Sequence, residues 1–391
     1  MSPERRAVGR RPHDDAGAVA CRVGRGAEVS LVRRSLIALA AACLLPSGFA
    51  SCGGRDVVAP PMDTTTPPPP TPLRTLAAQR GRYIGAATGS TFQRTDAKGA
   101  TLRMILARDY NMVWSGNFLK FSTLRPSPSE YQFQWADTMV AFAEANSMVV
   151  RGHVFVWHNQ LPAWLTGGTW TSAQVDSILQ GHIATVMSRY RARIRIWDVV
   201  NEPLDDNAAP RTTFWNTQLG PDYIERAFRL ARAADSTALL FYNDYNIEGL
   251  NAKSDATYAL IADLRARGVP IDGVGMQGHF QVGRLPSSAD LLANFDRFAR
   301  LGLKIQITEL DIRMPVPTTA QNLAQQAVDY RTIVTACLLV PACDAIVLAG
   351  VYDGDSWVPS TFPGEGAALL LDELFSPKPA YAAVHSLLAG L

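Results

Sequence analysis

Ile196-Trp197-Asp198-Val199-Val200-Asn201-Glu202-Pro203 is an apolar, β-branched run that stops in Asn-Glu-Pro. Such a run reads as a buried strand, and Pro203 cannot extend a central ladder. Glu202 therefore sits where strand gives way to loop. Lys304-Ile305-Gln306-Ile307-Thr308-Glu309-Leu310-Asp311 repeats the pattern, an apolar strand with a carboxylate near its C-terminal end. Two carboxylates at the ends of two strands are the minimum needed to split a glycosidic bond.

Working outward, short apolar runs alternate with longer amphipathic segments. The strand candidates are Tyr83–Ala87, Met112–Trp114, Val149–Val156, Ile194–Val200, Leu239–Tyr242, Gly273–Met276, Leu303–Ile307 and Ala345–Ala349. Between them lie helical patterns: Ile224, Ala227, Phe228 and Ala231 share one face, as do Tyr258, Ile261 and Leu264. Eight strand–helix units fit a closed parallel (β/α)8 TIM barrel over residues 73–391, a single α/β domain. A doubly wound open sheet is the alternative, but no Gly-rich phosphate loop follows the first strand. In such barrels the working residues lie at the C-terminal strand ends, where Glu202 and Glu309 fall.

The composition is that of a globular chain, 47% hydrophobic and 18% charged in 391 residues. The formal net charge is +2, of which +4 comes from the first 34 residues, where eight arginines face four acids, so residues 35–391 carry −2. No basic face for nucleic acid is indicated. Arg33-Arg34 precede an apolar run from Leu36 to Leu45 and then small residues, the pattern of an export signal too short to span a membrane stably. Arg33-Arg34 also allows a twin-Arg signal. Phe49-Ala50-Ser51-Cys52 resembles a bacterial lipobox with Phe49 where Leu is usual, so the leader 1–52 ends either in a lipidated Cys52, a membrane tether, or in simple cleavage nearby. Residues 53–72, with Thr64-Thr65-Thr66 and Pro67 to Pro70, read as an extended linker. The expected location is outside the cytoplasm, secreted or lipid-anchored at the cell envelope. Cys337 and Cys343, six apart, are then expected to form a disulfide, two buried thiols being the alternative.

Polar side chains recur at the same end of strand after strand. Strand period places His153, Phe155 and Trp157 on one face, Trp197, Val199 and Asn201 on another, and Ile305, Ile307 and Glu309 on a third. His153 and His158 are an odd number apart and face away from each other while the strand continues, against a shared metal. Gln277 and His279 follow Gly273–Met276, and Asn243-Asp244-Tyr245-Asn246 closes another strand. One such ending reads more readily as a capped loop or a satisfied core polar group; five together, with amides, imidazoles and tryptophans, are hard to explain as stability alone. No metal-ligand cluster and no cofactor loop is read.

Six motifs carry a resemblance: Trp197 to Pro203, Arg151 to Trp164, Asn243 to Asn246, Gly275-Met276-Gln277-Gly278-His279, Ile307 to Ile312, and Pro377-Lys378-Pro379-Ala380-Tyr381. In their order they resemble glycoside hydrolase family 10, the β-1,4-xylanases, over roughly residues 75–391. The resemblance implies a retaining double displacement on xylan, with Glu309 as nucleophile and Glu202 as general acid/base. In such a pair the acid holds a proton near neutral pH while the nucleophile stays ionised. His279 and Asp311 match residues that support the nucleophile. Asn201 matches the amide that binds the sugar 2-hydroxyl. His153, Trp157 and Gln277 match the wall around the cleaved sugar. Asn117 and Lys120 match hydroxyl donors on the non-reducing side, Trp357 an aromatic platform, and Tyr245 with Asn246 the lining beyond the cleaved bond. The partner implied is a polysaccharide and the chain is read as a monomer.

Two positions depart from the family pattern. Gly116 stands where Glu is usual, and Ala349 where Trp is usual. Losing a hydrogen-bonding carboxylate and a stacking indole costs about 1–3 kcal/mol of binding each. Both losses lie on the non-reducing side and enlarge it. The expectation is weak grip on plain linear xylan there, with room for a decorated backbone or another β-glycan. A surface polysaccharide-binding protein without catalysis is the reading from another class, and the presence of Glu202, Glu309, Asn201 and His153 argues against it.

Overall fold

The computed structural model describes residues 70–390. The leader, its Cys52 and nearly all of the linker lie outside these residues. Eight parallel strands close on themselves: β1 Tyr83–Ala87, β2 Met112–Trp114, β3 Val149–Val156, β4 Ile196–Asn201, β5 Leu239–Asp244, β6 Gly273–Met276, β7 Lys304–Pro315 and β8 Cys343–Leu348. Each pairs in parallel with the next, and β8 returns to β1 through Tyr83↔Ala345 and Ala86↔Leu348. Helices separate the strands, as the alternating pattern required. The fold is a (β/α)8 barrel.

The helices form where capping residues meet amphipathic runs. Asp96, Thr171, Thr213, Asn251, Ser287 and Thr319 each accept a hydrogen bond from the backbone N–H three residues on. Each such cap is worth about 1 kcal/mol. In the helix Tyr223–Ala234 the expected face of Ile224, Ala227, Phe228 and Ala231 is buried against the barrel. The core is therefore double. A large cluster lies between strands and helices, and a small one, Ala87, Met112, Trp114, Ile196, Phe241, Ala345 and Val347, fills the barrel interior.

The longest departure from the expected strands is β7, which runs on to Pro315. Its distal half keeps a ladder because two short strands join it: His279–Gln281 in parallel and Glu365–Gly366 antiparallel. The arginine of this extension, Arg313, is paired with Glu365 at 2.6 Å. The closing Pro-Lys-Pro motif has a structural task. Lys378 is nearly buried and donates to Asp353 at 2.8 Å and to the Ala367 carbonyl at 2.6 Å, pinning the loops that follow β8.

Cys337, near the end of the helix Ala320–Leu339, is bonded to Cys343 at the start of β8, with their Cα atoms 5.2 Å apart. The bridge closes a short loop, so its entropic contribution is about 2 kcal/mol. Replacing both cysteines by serine is expected to lower the unfolding free energy by that amount in urea titration. An unchanged midpoint and slope would speak against it.

Candidate active site

Three irregularities in strand pairing decide which side chains reach the C-terminal end of the barrel. The β3–β4 register shifts between His153 and Val156, β4–β5 between Asp198 and Val200, and β7–β8 between Ile307 and Leu310. Simple alternation therefore fails at these positions. Trp197 and Val199 lie in the outer core, with the Trp197 ring stacked 4.6 Å from that of Phe155, whereas Asn201 turns into the site. Phe155 is accordingly not on the face of His153, which bonds Asp198 inside the barrel. Ile305 and Ile307 are likewise in the outer core, while Gln306 and Thr308 face inward and Glu309 joins them. A bulge adds one residue to a strand and re-aims the side chains beyond it. Strict alternation would have put Phe155 with His153, Trp197 and Val199 with Asn201, and Ile305 and Ile307 with Glu309; the bulges separate them.

The two glutamates are joined by neutral amides. Asn201 Nδ2 donates to Glu202 Oε1 at 3.1 Å, and Gln277 Nε2 donates to the same oxygen at 2.8 Å. Trp157 Nε1 donates to Glu202 Oε2 at 2.9 Å. Asn201 Oδ1 accepts from Gln277 Nε2 at 3.2 Å and from Asn243 Nδ2 at 2.9 Å. Asn243 Nδ2 also donates to Glu309 Oε1 at 3.0 Å, and its own Oδ1 accepts from Thr308 at 2.7 Å. An unbroken chain thus runs Glu202–Asn201–Asn243–Glu309. Gly275 on β6 makes room for it, because a Cβ there would strike the Asn243 amide and crowd Arg151.

The surroundings of the two carboxylates differ. Glu309 faces cations. His279 Nε2 lies 3.6 Å from Glu309 Oε2, and its Nδ1 lies 3.1 Å from Asp311 Oδ1. Burial works against a charged His279, but the charge of Asp311, with Glu309 behind it, outweighs this and holds the imidazole well above its usual range. Burial alone would raise Glu309. The pair with His279 and the charges of His153 and Lys120 overcome it, and the carboxyl is lowered to about 2. Glu202 has the indole and amide donors named above, with His158 Nδ1 at 3.8 Å. Burial depresses that imidazole, so it adds little positive charge.

A second layer holds the first. Asp198 accepts from His153 Nδ1 at 2.9 Å while paired with the buried Arg151, which leaves Nε2 of His153 for other partners. Asp311 Oδ2 accepts from Trp357 Nε1 at 2.7 Å, and the Trp357 ring stands edge-on to His279 with centroids 4.9 Å apart. Lys120 Nζ lies 4.7 Å from the Trp157 ring. Burial lowers this ammonium, against the charges of Glu309 and Glu202.

Of the residues singled out from the sequence, the structure brings together Glu202, Glu309, Asn201, Trp157, Gln277, His279, Asp311, Trp357, Lys120 and, through Asp198, His153. Asn117 is exposed on the loop after β2, and its bonds are those of its backbone. The Tyr245 hydroxyl is occupied, accepting from Arg211 at 3.0 Å and donating to Asp206 at 2.5 Å, so it braces a loop. Asn243, Thr308, Asp198 and Arg211 were not singled out. Asn243, Asp198 and Thr308 lie within the motifs of β5, β4 and β7, and Asn243 stands next to the last residue of β5.

An eight-stranded parallel barrel with one glutamate directly after β4 and the other midway along the extended β7, wired through amides, defines a glycoside hydrolase barrel. The profile of Glycosyl hydrolase family 10 matches residues 72–387. Endo-1,4-beta-xylanase B of Thermotoga neapolitana is 44% identical over 319 residues, covering 81% of this chain and 91% of that protein. An endo-1,4-beta-xylanase of Agaricus bisporus is 41% identical over 80% of this chain and 93% of its own. Xylanase 10B of Thermotoga petrophila RKU-1, solved in complex with xylobiose, superposes with a TM-score of 0.80 at 41% identity, over 83% of this chain and 99% of that one. The chain belongs to glycosyl hydrolase family 10.

Proposed function

We propose that the protein is a retaining endo-β-1,4-xylanase with Glu309 as nucleophile and Glu202 as general acid/base. The observation that carries the division of roles is the contrast in partners: Glu309 lies against His279 and is lowered to about 2, whereas Glu202 is bonded by neutral donors. Glu309 attacks the anomeric carbon while Glu202 gives its proton to the departing glycosidic oxygen. Glu202 then takes a proton from the water that attacks the glycosyl–enzyme ester, freeing Glu309 and a sugar of retained configuration. Asn201 Nδ2 spends one hydrogen on Glu202 and keeps the second for the sugar 2-hydroxyl. The relatives named as xylanases support xylan as the chain that is cut. The disulfide fits an oxidising compartment, in keeping with the export signal read in the leader, whether the protein is released or held by a lipidated Cys52.

A second reading concerns the sugar accepted on the non-reducing side. A Cβ built on Gly116 would meet no atom within 4 Å, and Ala349 is only half-buried. This open space favours a substituted xylan backbone. One panel tests both readings: reducing-sugar release from xylans and glucans, anomer detection by NMR, and hydrolysis of linear xylotriose against arabinose- or glucuronate-substituted oligosaccharides. We expect β-configured products from xylan and no loss of rate on the substituted chains. Inverted products would overturn the mechanism, and a strong preference for undecorated xylotriose would sink the second reading.

A further inference from the structure

Glu202 is a non-glycine residue in the left-handed region, at φ +53°. That conformation is strained for a residue with a Cβ and persists only where the surroundings over-determine it. Glycine would remove the strain but also the carboxyl. Two groups hold this backbone. The Glu202 N–H donates to the Asn243 carbonyl of β5 at 2.9 Å. The Glu202 carbonyl accepts from Arg211 Nε at 3.2 Å.

Arg211 reaches back across the loop that follows β4. Its Nη2 donates to the Leu204 carbonyl and to the Tyr245 hydroxyl, both at 3.0 Å, and its own N–H donates to the Pro203 carbonyl at 2.8 Å. Within the loop, Asp205 accepts from the N–H groups of Asn207 and Ala209, and Leu204 bridges to Pro210. Tyr245 is itself seated. Its hydroxyl bonds Asp206 on the same loop, its N–H bonds Asp244, and the Lys253 ammonium, buried and 2.8 Å from Asp244, lies 3.4 Å from its ring centroid. A planar guanidinium suits this task, because its fixed fork engages a carbonyl with Nε and other acceptors with Nη2 at once.

We propose that Arg211, braced by Tyr245, is a positioning residue for Glu202, holding the strained backbone of the acid/base through its carbonyl. The inference rests on the role assigned to Glu202 above. Without the clasp the carboxyl loses its aim at the leaving oxygen, and the step that needs a proton suffers first. Proton donation matters most when the leaving group is a poor one, such as a sugar alcohol, and least when it is an acidic phenol.

The test compares kcat/KM on xylotetraose and on 2,4-dinitrophenyl β-xylobioside. Arg211→Met is expected to lose at least about 30-fold on xylotetraose and less than about threefold on the aryl glycoside. Tyr245→Phe, a milder change, is expected to show the same split at smaller size, and it decides the matter if Arg211→Met does not fold. Equal losses on the two substrates, or none on either, would overturn the proposal, because a merely structural role slows both alike. Glu202→Ala is measured beside them. If that variant shows no split, the acid/base assignment itself fails, and the inference falls with it. A split in Glu202→Ala without one in the Arg211 and Tyr245 variants rejects the clasp alone.

Discussion

Replacing Glu309 by alanine is expected to lower kcat on xylan by at least about 10⁴-fold, because the covalent route through a glycosyl ester is closed. Substrate binding and the far-ultraviolet circular dichroism are expected to persist. Glu309 is mostly buried and takes part in no packing cluster, and its partners Asn243 and His279 keep their bonds to Asn201, Thr308 and Asp311. Glu309→Gly with added azide is expected to yield the inverted, α-configured glycosyl azide, the anion entering where the carboxylate stood. A retained azide product would exchange the roles of the two glutamates. Binding without activity in the wild type as well would instead mark a polysaccharide-binding protein.

The second large effect is on pH dependence. Glu309 is depressed in the fold from its ordinary 4.5 to about 2, burial being outweighed by His279, His153 and Lys120. A depressed carboxyl stabilises the folded state above its unfolded value, and that contribution is lost as pH falls from about 4.5 toward 2. Activity should therefore not fail near pH 4.5 through protonation of Glu309. In His279→Gln the nearest cation is gone and burial prevails. The acid limb of the kcat/KM profile is expected to move up by at least about one pH unit, while the alkaline plateau changes less. Unfolding measured across the same range should show a shallower acid slope than the wild type. An unmoved acid limb would show that His279 does not set the state of Glu309.

The parts legible in the sequence were those written in local pattern. Apolar runs of strand length, alternating with amphipathic segments, sufficed for eight strands and the closed barrel. The Asn-Glu-Pro ending placed Glu202 at a strand terminus, since proline ends a ladder wherever it occurs. The disulfide was expected from the export pattern read in the leader and from close spacing, and the residue types around each glutamate came from the motifs. What alternation could not supply was the phase of the side chains, because each bulge depends on pairing with a strand whose sequence lies tens of residues away. Asn243 bridges Asn201 and Glu309 across 42 and 66 positions, and nothing local announces such a bond.

The sequence by itself therefore determined the architecture, the pair of glutamates and the family, all of which rest on local period and on motifs read in order. Only the tertiary structure decided which way those motifs face. The register shifts of β3, β4 and β7 turn Asn201 and Glu309 inward while Trp197 and Ile307 go to the outer core. It also gave Tyr245 to the loop after β4 and Arg211 to the backbone of Glu202. Hydrogen bonds between distant strand ends exist only once the barrel has closed, so no reading of one segment at a time contains them.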